Sequence, residues 1–410
     1  MKITVIGAGI SGLSVALALT KWLPEKPDIT IIELRPEPST IGGAVGLTPN
    51  ALRCLHHLGV LSRIHENSLG ATIDKIELFT IHTGARLGEI GFTGAQGEGV
   101  GQPPFKGLRI MRADLVQSLT ECVRNLNNVR FAYGRRPTQI IESDAQITVH
   151  TDDGDTMTSD LLLGCDGIHS FVRTNLVDPE RTPLYTGIAA VFGFAGLDDE
   201  AQVPWKDTGL CQAKRGSLMT SYYEPQRKRQ FVAAIMETED VISKEGWLAR
   251  GSEQDKIRQN VKGRFGNSAI GFLNSLIDAT DHWTLYPVFS LAPRGKWCTT
   301  RAMLLGDAAH AMPPQGESTG YALEDAILFA RAMAVKLDKG LDVTFATYQK
   351  VRRERINKAY DEAAFGWETQ KDCGWFTFLL RTWLTTAFLW WTAAARQRRY
   401  SEDVTKMDLE

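Results

Sequence analysis

The residues best suited to chemistry lie far apart in the chain. Near the N-terminus the sequence reads Val5-Ile6-Gly7-Ala8-Gly9-Ile10-Ser11-Gly12, and some three hundred residues later Leu304-Leu305-Gly306-Asp307-Ala308-Ala309-His310-Ala311-Met312-Pro313. The first stretch is a mould for a dinucleotide pyrophosphate. Gly7 permits a tight strand-to-helix turn, Gly9 lets the backbone approach the phosphates, and Gly12 lets helix and strand close on each other. The N–H groups and positive dipole end of the helix, with Ser11 in its first turn, favour the anion. A carboxylate at Glu33, about twenty residues on, is placed to accept from ribose hydroxyls and argues against a ribose 2′-phosphate. In the second stretch, Asp307 follows a buried apolar run. It could accept from sugar hydroxyls, or it could merely cap a helix.

These groups need a scaffold. Lys2–Ile6 is a short β-branched run that suits a buried parallel strand, followed by a helix through Leu13, Val15, Ala16, Leu17 and Leu19. A second strand is expected at Ile29–Ile32 and a helix from Pro49, ended by Gly59. Residues 73–108 read as strands broken by a Gly-rich loop, Arg112 opens a helix to about Leu126, and 129–164 reads as a meander ending in strand Leu161–Leu163. Strands are expected at 184–195, 209–223 and 230–236, and helix from about 253 to 277. A last buried strand, Ala302–Leu305, precedes helices at Ala322–Lys336 and about 342–371. The implied class is α/β. A Rossmann-like nucleotide domain comprises residues 1–179, including strands at 73–108 that could belong to the next domain, and returns at 291–371. A mainly β substrate domain (180–290) is inserted, and 372–410 forms a C-terminal helix and tail.

The chain has 410 residues, 43% of them hydrophobic, so a sizeable core is available and subdivision is expected. A net charge of -2 with no polybasic run argues against nucleic acid as a partner. The six cysteines form no metal-ligand spacing and read as reduced thiols. With strand-like sequence from Lys2, a cytoplasmic protein without a bound metal is expected.

From Lys2 to about Arg355 the sequence resembles the class A FAD-dependent monooxygenases, the single-component aromatic hydroxylases. Within them it looks most like the salicylate-hydroxylase-like branch and its fungal secondary-metabolite relatives. Gly7, Gly9, Gly12 and Glu33 match the ADP-binding portion, and Arg112 in Arg-Ala-Asp-Leu matches an arginine near the FAD. Asp166-Gly167, within Asp160–Arg173, matches a motif implicated in FAD and NAD(P)H handling, and Gly306-Asp307 matches the motif whose aspartate binds the ribityl hydroxyls. The resemblance implies a glutathione-reductase-type FAD domain, with Ser11, Arg35, Gly43, Ala44, Pro313, Gly316, Ser318, Thr319 and Gly320 also lining the cofactor. It implies NADH or NADPH as a transient reductant, O2 as co-substrate and an FAD C4a-hydroperoxide that hydroxylates an electron-rich aromatic or secondary-metabolite molecule. Epoxidation or rearrangement by the same intermediate, or hydride transfer by a reductase or dehydrogenase of this fold, stays open. The Pro313-Pro314 turn would line the reacting face. Tyr222, Tyr223 and His310 are candidate pocket groups, with only one of the adjacent tyrosines facing the cavity. Arg35 and Arg109 are candidates for the nicotinamide cofactor's phosphates.

Where relatives carry Gly-Gln-Gly-x-Asn, this chain reads Gly316-Glu317-Ser318-Thr319-Gly320. Glu317 is expected to point to solvent; the alternative is a place beside the flavin, where an ionised carboxylate would disfavour the anionic reduced form. The aromatic run from Trp375 to Ala395, followed by basic residues to Arg399, reads as a helix packed on the protein or on a second subunit. The alternatives are peripheral membrane contact and a true span, the latter disfavoured because Arg381 would be costly inside lipid. Monomer and homodimer both remain open.

Overall fold

The computed structural model describes residues 1–38, 42–196, 202–241, 243–313, 315–368 and 370–409. Among them, five parallel strands form a central sheet in the order Ala302–Leu304, Leu161–Gly164, Lys2–Ile6, Asp28–Glu33, Val129–Tyr133. Ile3, Val5, Ile29, Ile31 and Leu161 to Leu163 are fully buried, as expected of strands covered on both faces. Helices Ile10–Trp22 and Ser318–Lys336 pack against each other beside this sheet. Lys2–Ile6 lies between strands that come later in the chain, so three strand ends open onto one crevice. Gly7 N–H donates to Ile32 O at 2.8 Å, Cys165 N–H to Ile6 O at 2.8 Å, and Leu305 N–H to Gly164 O at 2.9 Å. In open α/β sheets ligands bind at such a crevice.

A second sheet has the order Thr284–Ser290, Leu184–Gly196, Arg229–Glu237, Gly216–Tyr222, Thr208–Ala213, Lys75–Thr80, Arg86–Gly91. Alternation gives it two apolar faces. Val191, Leu218, Val232 and Ala234 pack on Val261, Phe265, Leu273 and Ile277 of helices Gln254–Phe265 and Gly271–Asp278. Phe192, Phe194, Met219, Phe231 and Ala233 meet Ala44 and Met111 on the other face. Ala44 begins strand Ala44–Leu47, which joins Gly107–Met111 and Ala71–Ile73 in a small antiparallel sheet bridging the two halves.

The structure refines several expected elements. The run 209–223 is a hairpin, turned by Gly216 at a φ of +99°. Val129–Tyr133 leaves the meander to become the edge of the central sheet. Lys75–Thr80 and Arg86–Gly91 extend the second sheet. Thr284–Ser290 is an additional strand whose Pro287 is tolerated because the strand lies at the sheet edge.

Helix Trp375–Ser401 packs on the protein through a largely polar stripe. Arg381 Nη2 donates to Ala213 O at 2.6 Å and Gln397 Nε2 to Gly91 O at 3.2 Å. The segment beyond is held by Arg53 Nη1, which donates to Glu402 O at 2.8 Å, and by Arg331 Nη1, which donates to Val404 O at 2.6 Å.

Candidate functional site

The glycine turn is built for close approach. A Cβ on Gly12 would lie 2.0 Å from Gly7 O, so only glycine lets the Ile10–Trp22 helix seat on the turn. A Cβ on Gly9 would meet nothing within 4 Å. That open space faces a helix start with no side-chain cap, as a diphosphate site requires. Glu33 is held by the turn it serves: Oε2 accepts from Ala8 N–H at 2.8 Å and Oε1 from Arg35 N–H at 3.0 Å.

Asp307 opens the short helix Asp307–His310. Gly306 before it has φ 59° and ψ -141°, a backbone state that strains any residue with a Cβ. Four bonds from elsewhere hold this turn. Gly306 N–H donates to Asp325 Oδ2 at 2.9 Å, and His310 Nε2 lies 2.7 Å from the same oxygen. Arg173 Nη1 donates to Ala308 O at 3.0 Å, and Arg181 Nη1 to Ala309 O at 2.8 Å. Asp325 in turn accepts from Arg352 Nε at 2.5 Å, and Arg352 Nη1 donates to Glu324 Oε2 at 2.6 Å. All three of these charged residues are buried. Burial opposes ionisation of Asp325, but His310 and Arg352 overcome it and hold its carboxyl below the usual carboxylate range.

Asp307 itself has no hydrogen-bond partner among the described residues. It faces open space, yet protein surrounds that space, and this desolvation pushes its carboxyl up against the pull of His310 and Arg112. Arg112 starts helix Arg112–Arg124, its backbone N–H donating to Gly43 O at 3.1 Å. Tyr286, from the second sheet, completes the neighbourhood. Its phenol is pushed up by burial and by the Asp307 charge, with Arg112 opposing. An orphan carboxylate, an arginine and an open glycine turn around one crevice suit the ribityl hydroxyls and diphosphate of FAD.

The other expected site residues are distributed as follows. Gly43 and Ala44 lie where the bridging strand meets the second sheet; a Cβ on Gly43 would come 2.2 Å from Phe231. Ser318, Thr319 and Gly320 form the first turn of their helix, and Pro313 and Gly316 lie in the segment before it. Pro314 lies outside the described residues. The Asp166 carboxylate is engaged by its own chain, accepting from Ser170 Oγ at 2.5 Å and Phe171 N–H at 2.6 Å. Tyr223 is buried edge-on to Phe194 in the apolar face, while Tyr222 turns outward under Arg227.

Two expectations require correction. Glu317 does not point to solvent. It accepts from Tyr321 Oη at 2.9 Å and from Arg399 Nη2 at 2.8 Å, tying the 318–336 helix to the C-terminal one. His310 is buried and bonded to Asp325, so it positions the Asp307 turn rather than facing substrate. Arg109 is 6% exposed beneath the second sheet, beside Met219 and Ser221.

Asp325, Arg352 and Tyr286 are absent from the residues expected to build the site. Glu324-Asp325 inside an otherwise apolar helix was the available signal, since buried acids demand cations. Nothing local marks Arg352 as their partner, or Tyr286 as a neighbour of Asp307.

The sequence profile described as "FAD binding domain" matches residues 1–363. Salicylate hydroxylase of Pseudomonas putida is 28% identical over 398 residues, covering 90% of this chain and 85% of its own. The 6-hydroxynicotinate 3-monooxygenase of Pseudomonas fluorescens is 27% identical over 366 residues, covering 87% and 89%. Klebsiella pneumoniae HpxO, solved with FAD and uric acid, superposes with a TM-score of 0.79 at 21% identity, covering 98% of this chain and 96% of that one.

Proposed function

The chain belongs to the FAD-binding-domain family of class A FAD-dependent monooxygenases, and from that premise we propose that it uses NAD(P)H and O2 to hydroxylate an electron-rich aromatic small molecule. The observation that carries this reading is the orphan carboxylate of Asp307 facing the same crevice as the open glycine turn. Gly7, Gly9, Gly12, Glu33, Arg112 and Asp307 would hold FAD. When bound, FAD supplies electron transfer from NAD(P)H and the activation of O2. The chain's own part is to orient substrate and exclude water. Phe192, Phe194 and Phe231 offer an apolar wall for this. Burial raises the phenols of Tyr223 and Tyr286, so both stay protonated near neutral pH and act as hydrogen-bond donors, not bases. Salicylate and 6-hydroxynicotinate, which name two relatives, set the substrate class to try first: hydroxylated aromatic rings. The test is NADH and NADPH consumption by FAD-loaded protein across such a panel, with products identified by mass spectrometry. Substrate-stimulated consumption with a product 16 mass units heavier supports the reading. Consumption with no oxygenated product from any member would favour a reductase.

The C-terminal helix carries a second part of the proposal. Its outward face is apolar, with Phe376 at 82%, Trp390 at 84% and Trp391 at 82% exposure, joined by Trp383, Leu384 and Phe388. Such a face exposes on the order of 1,000 Å², beyond the largest patch of a typical monomer at about 300–600 Å². Residues 375–401 contain no acid, and Arg398 is exposed at the basic end. Among the described residues no helix is long and apolar enough to cross a membrane. Tryptophans beside cations on an acid-free helix match an anionic bilayer surface, on which this helix would lie flat. Co-sedimentation with phosphatidylcholine vesicles containing phosphatidylserine is expected, and its loss in W390E/W391E. A dimer that the same substitutions dissociate, without vesicle binding, would overturn this assignment.

A further inference from the structure

Five arginines are buried to 8% exposure or less, and four of them make several hydrogen bonds to oxygen partners. Arg352 bonds Glu324, Asp325 and the Tyr321 carbonyl. Arg173 donates to the carbonyls of Arg181, Ala308 and Ile168. Arg53 and Arg181 each donate from two nitrogens to backbone carbonyls. Arg109 is the exception. Its Nε reaches only Ser221 Oγ, at 3.4 Å, and its Nη2 only the Met219 thioether, at 3.6 Å. Nη1 donates to nothing, and no carboxylate forms an ion pair with the guanidinium among the described residues. The Ser221 hydroxyl is also shared, lying 2.6 Å from Thr208 Oγ1.

A buried guanidinium with so little compensation is costly, and a chain does not carry one for stability. The placement supplies the reason. Arg109 lies on Gly107–Met111, directly across from Gly46, where a Cβ would come 3.1 Å from Nη1. Met219 and Ser221 belong to the face of the second sheet that carries Phe192, Phe194 and Phe231. The cation therefore sits at the end of the apolar wall that the proposed function assigns to substrate. Burial lowers its pKa to about 10, with no acid opposing the shift, so it stays charged at neutral pH.

We propose that Arg109 is a substrate-specificity residue that receives an anionic group, a carboxylate, of an otherwise apolar aromatic substrate. The inference rests on the monooxygenase reading for the identity of the cleft. A planar guanidinium with unspent N–H donors suits a planar carboxylate, which would supply the missing charge at the moment of binding. Residues on the sheet would grip the ring, and Arg109 would fix its register.

The test uses FAD-loaded protein and matched pairs of ligands: salicylate with salicylamide, 1-hydroxy-2-naphthoate with its amide, and indole-3-carboxylate with its amide. Calorimetric titration is expected to show at least one acid bound ten-fold or more tighter than its amide. R109Q and R109M should abolish that preference while leaving FAD content in place, and R109K should restore part of it. Melting separates this from a structural role. R109M should melt at or above the wild-type temperature, because it removes an uncompensated charge. No preference for any acid in the wild type, a preference that survives in R109Q, or a marked loss of stability in R109M would each overturn the assignment. If the protein failed to bind FAD, the monooxygenase reading itself would have failed, which is a different result.

Discussion

His310 Nε2 lies 2.7 Å from Asp325 Oδ2, the oxygen that also accepts the Gly306 N–H at 2.9 Å. One buried carboxylate thus holds both ends of the turn that presents Asp307. Removing it in D325A strands Arg352 without one of its two acids. The expected cost is about 3–5 kcal/mol of unfolding free energy, the usual penalty for breaking a buried pair. Urea unfolding checks this, and FAD content should fall in the same variant because the Asp307 turn loosens.

The same carboxylate sets a pH dependence. Asp325 is held below its unfolded value near 4, so the unfolded chain binds the extra proton in acid. Its stabilisation is fully present above about pH 4 and is lost as pH falls toward the folded value. Thermal melts of wild type and D325N should converge as pH drops below about 4 and differ most near neutrality. Parallel curves across the range would contradict this.

Much of this arrangement is readable locally, and some of it is not. The Lys2–Ile6 strand, the glycine turn and Glu33 follow one another within a single β-α-β unit, so period and spacing reveal them. The Gly306-Asp307 turn is equally plain as a motif after an apolar strand. What grips it comes from Asp325, Arg352, Arg173 and Arg181, whose pairing exists only after helices and sheet assemble. Tyr286 is hidden for the same reason, on an edge strand interrupted by Pro287. Glu317 misleads because a lone acid in a polar loop reads as solvated until the C-terminal helix brings Arg399 to it.

Asp307 should govern cofactor affinity. An ionised carboxylate bonded to sugar hydroxyls contributes about 1.5–3 kcal/mol, so D307A should weaken FAD binding by roughly ten- to a hundred-fold. Fluorescence titration of deflavinated protein with FAD measures this. The secondary structure should be unchanged, since Asp307 bonds nothing in the described chain.

Gly306 should tolerate no side chain. At φ 59° and ψ -141°, and with a Cβ 3.0 Å from Ser11 Oγ, G306A should cost about 1–3 kcal/mol and displace Asp307. A melting temperature and FAD affinity equal to wild type would show the turn to be more adaptable than this geometry implies.

Glu317 should act as a latch for the C-terminal helix. E317A leaves Arg399 without its closer carboxylate and removes the Tyr321 bond, a loss of about 1–3 kcal/mol. Limited proteolysis between 368 and 375 should accelerate, while E317Q should keep much of the wild-type resistance by accepting from Tyr321.

The proposed reaction is oxygen insertion into an aromatic ring by FAD held in this crevice. Turnover under 18O2 tests it most directly, with FAD-loaded protein, NADH or NADPH and the acid that binds best. One 18O atom per product molecule is expected, and none from labelled water. Product carrying oxygen from water, or NAD(P)H consumed with no labelled product from any ligand that binds, would contradict it.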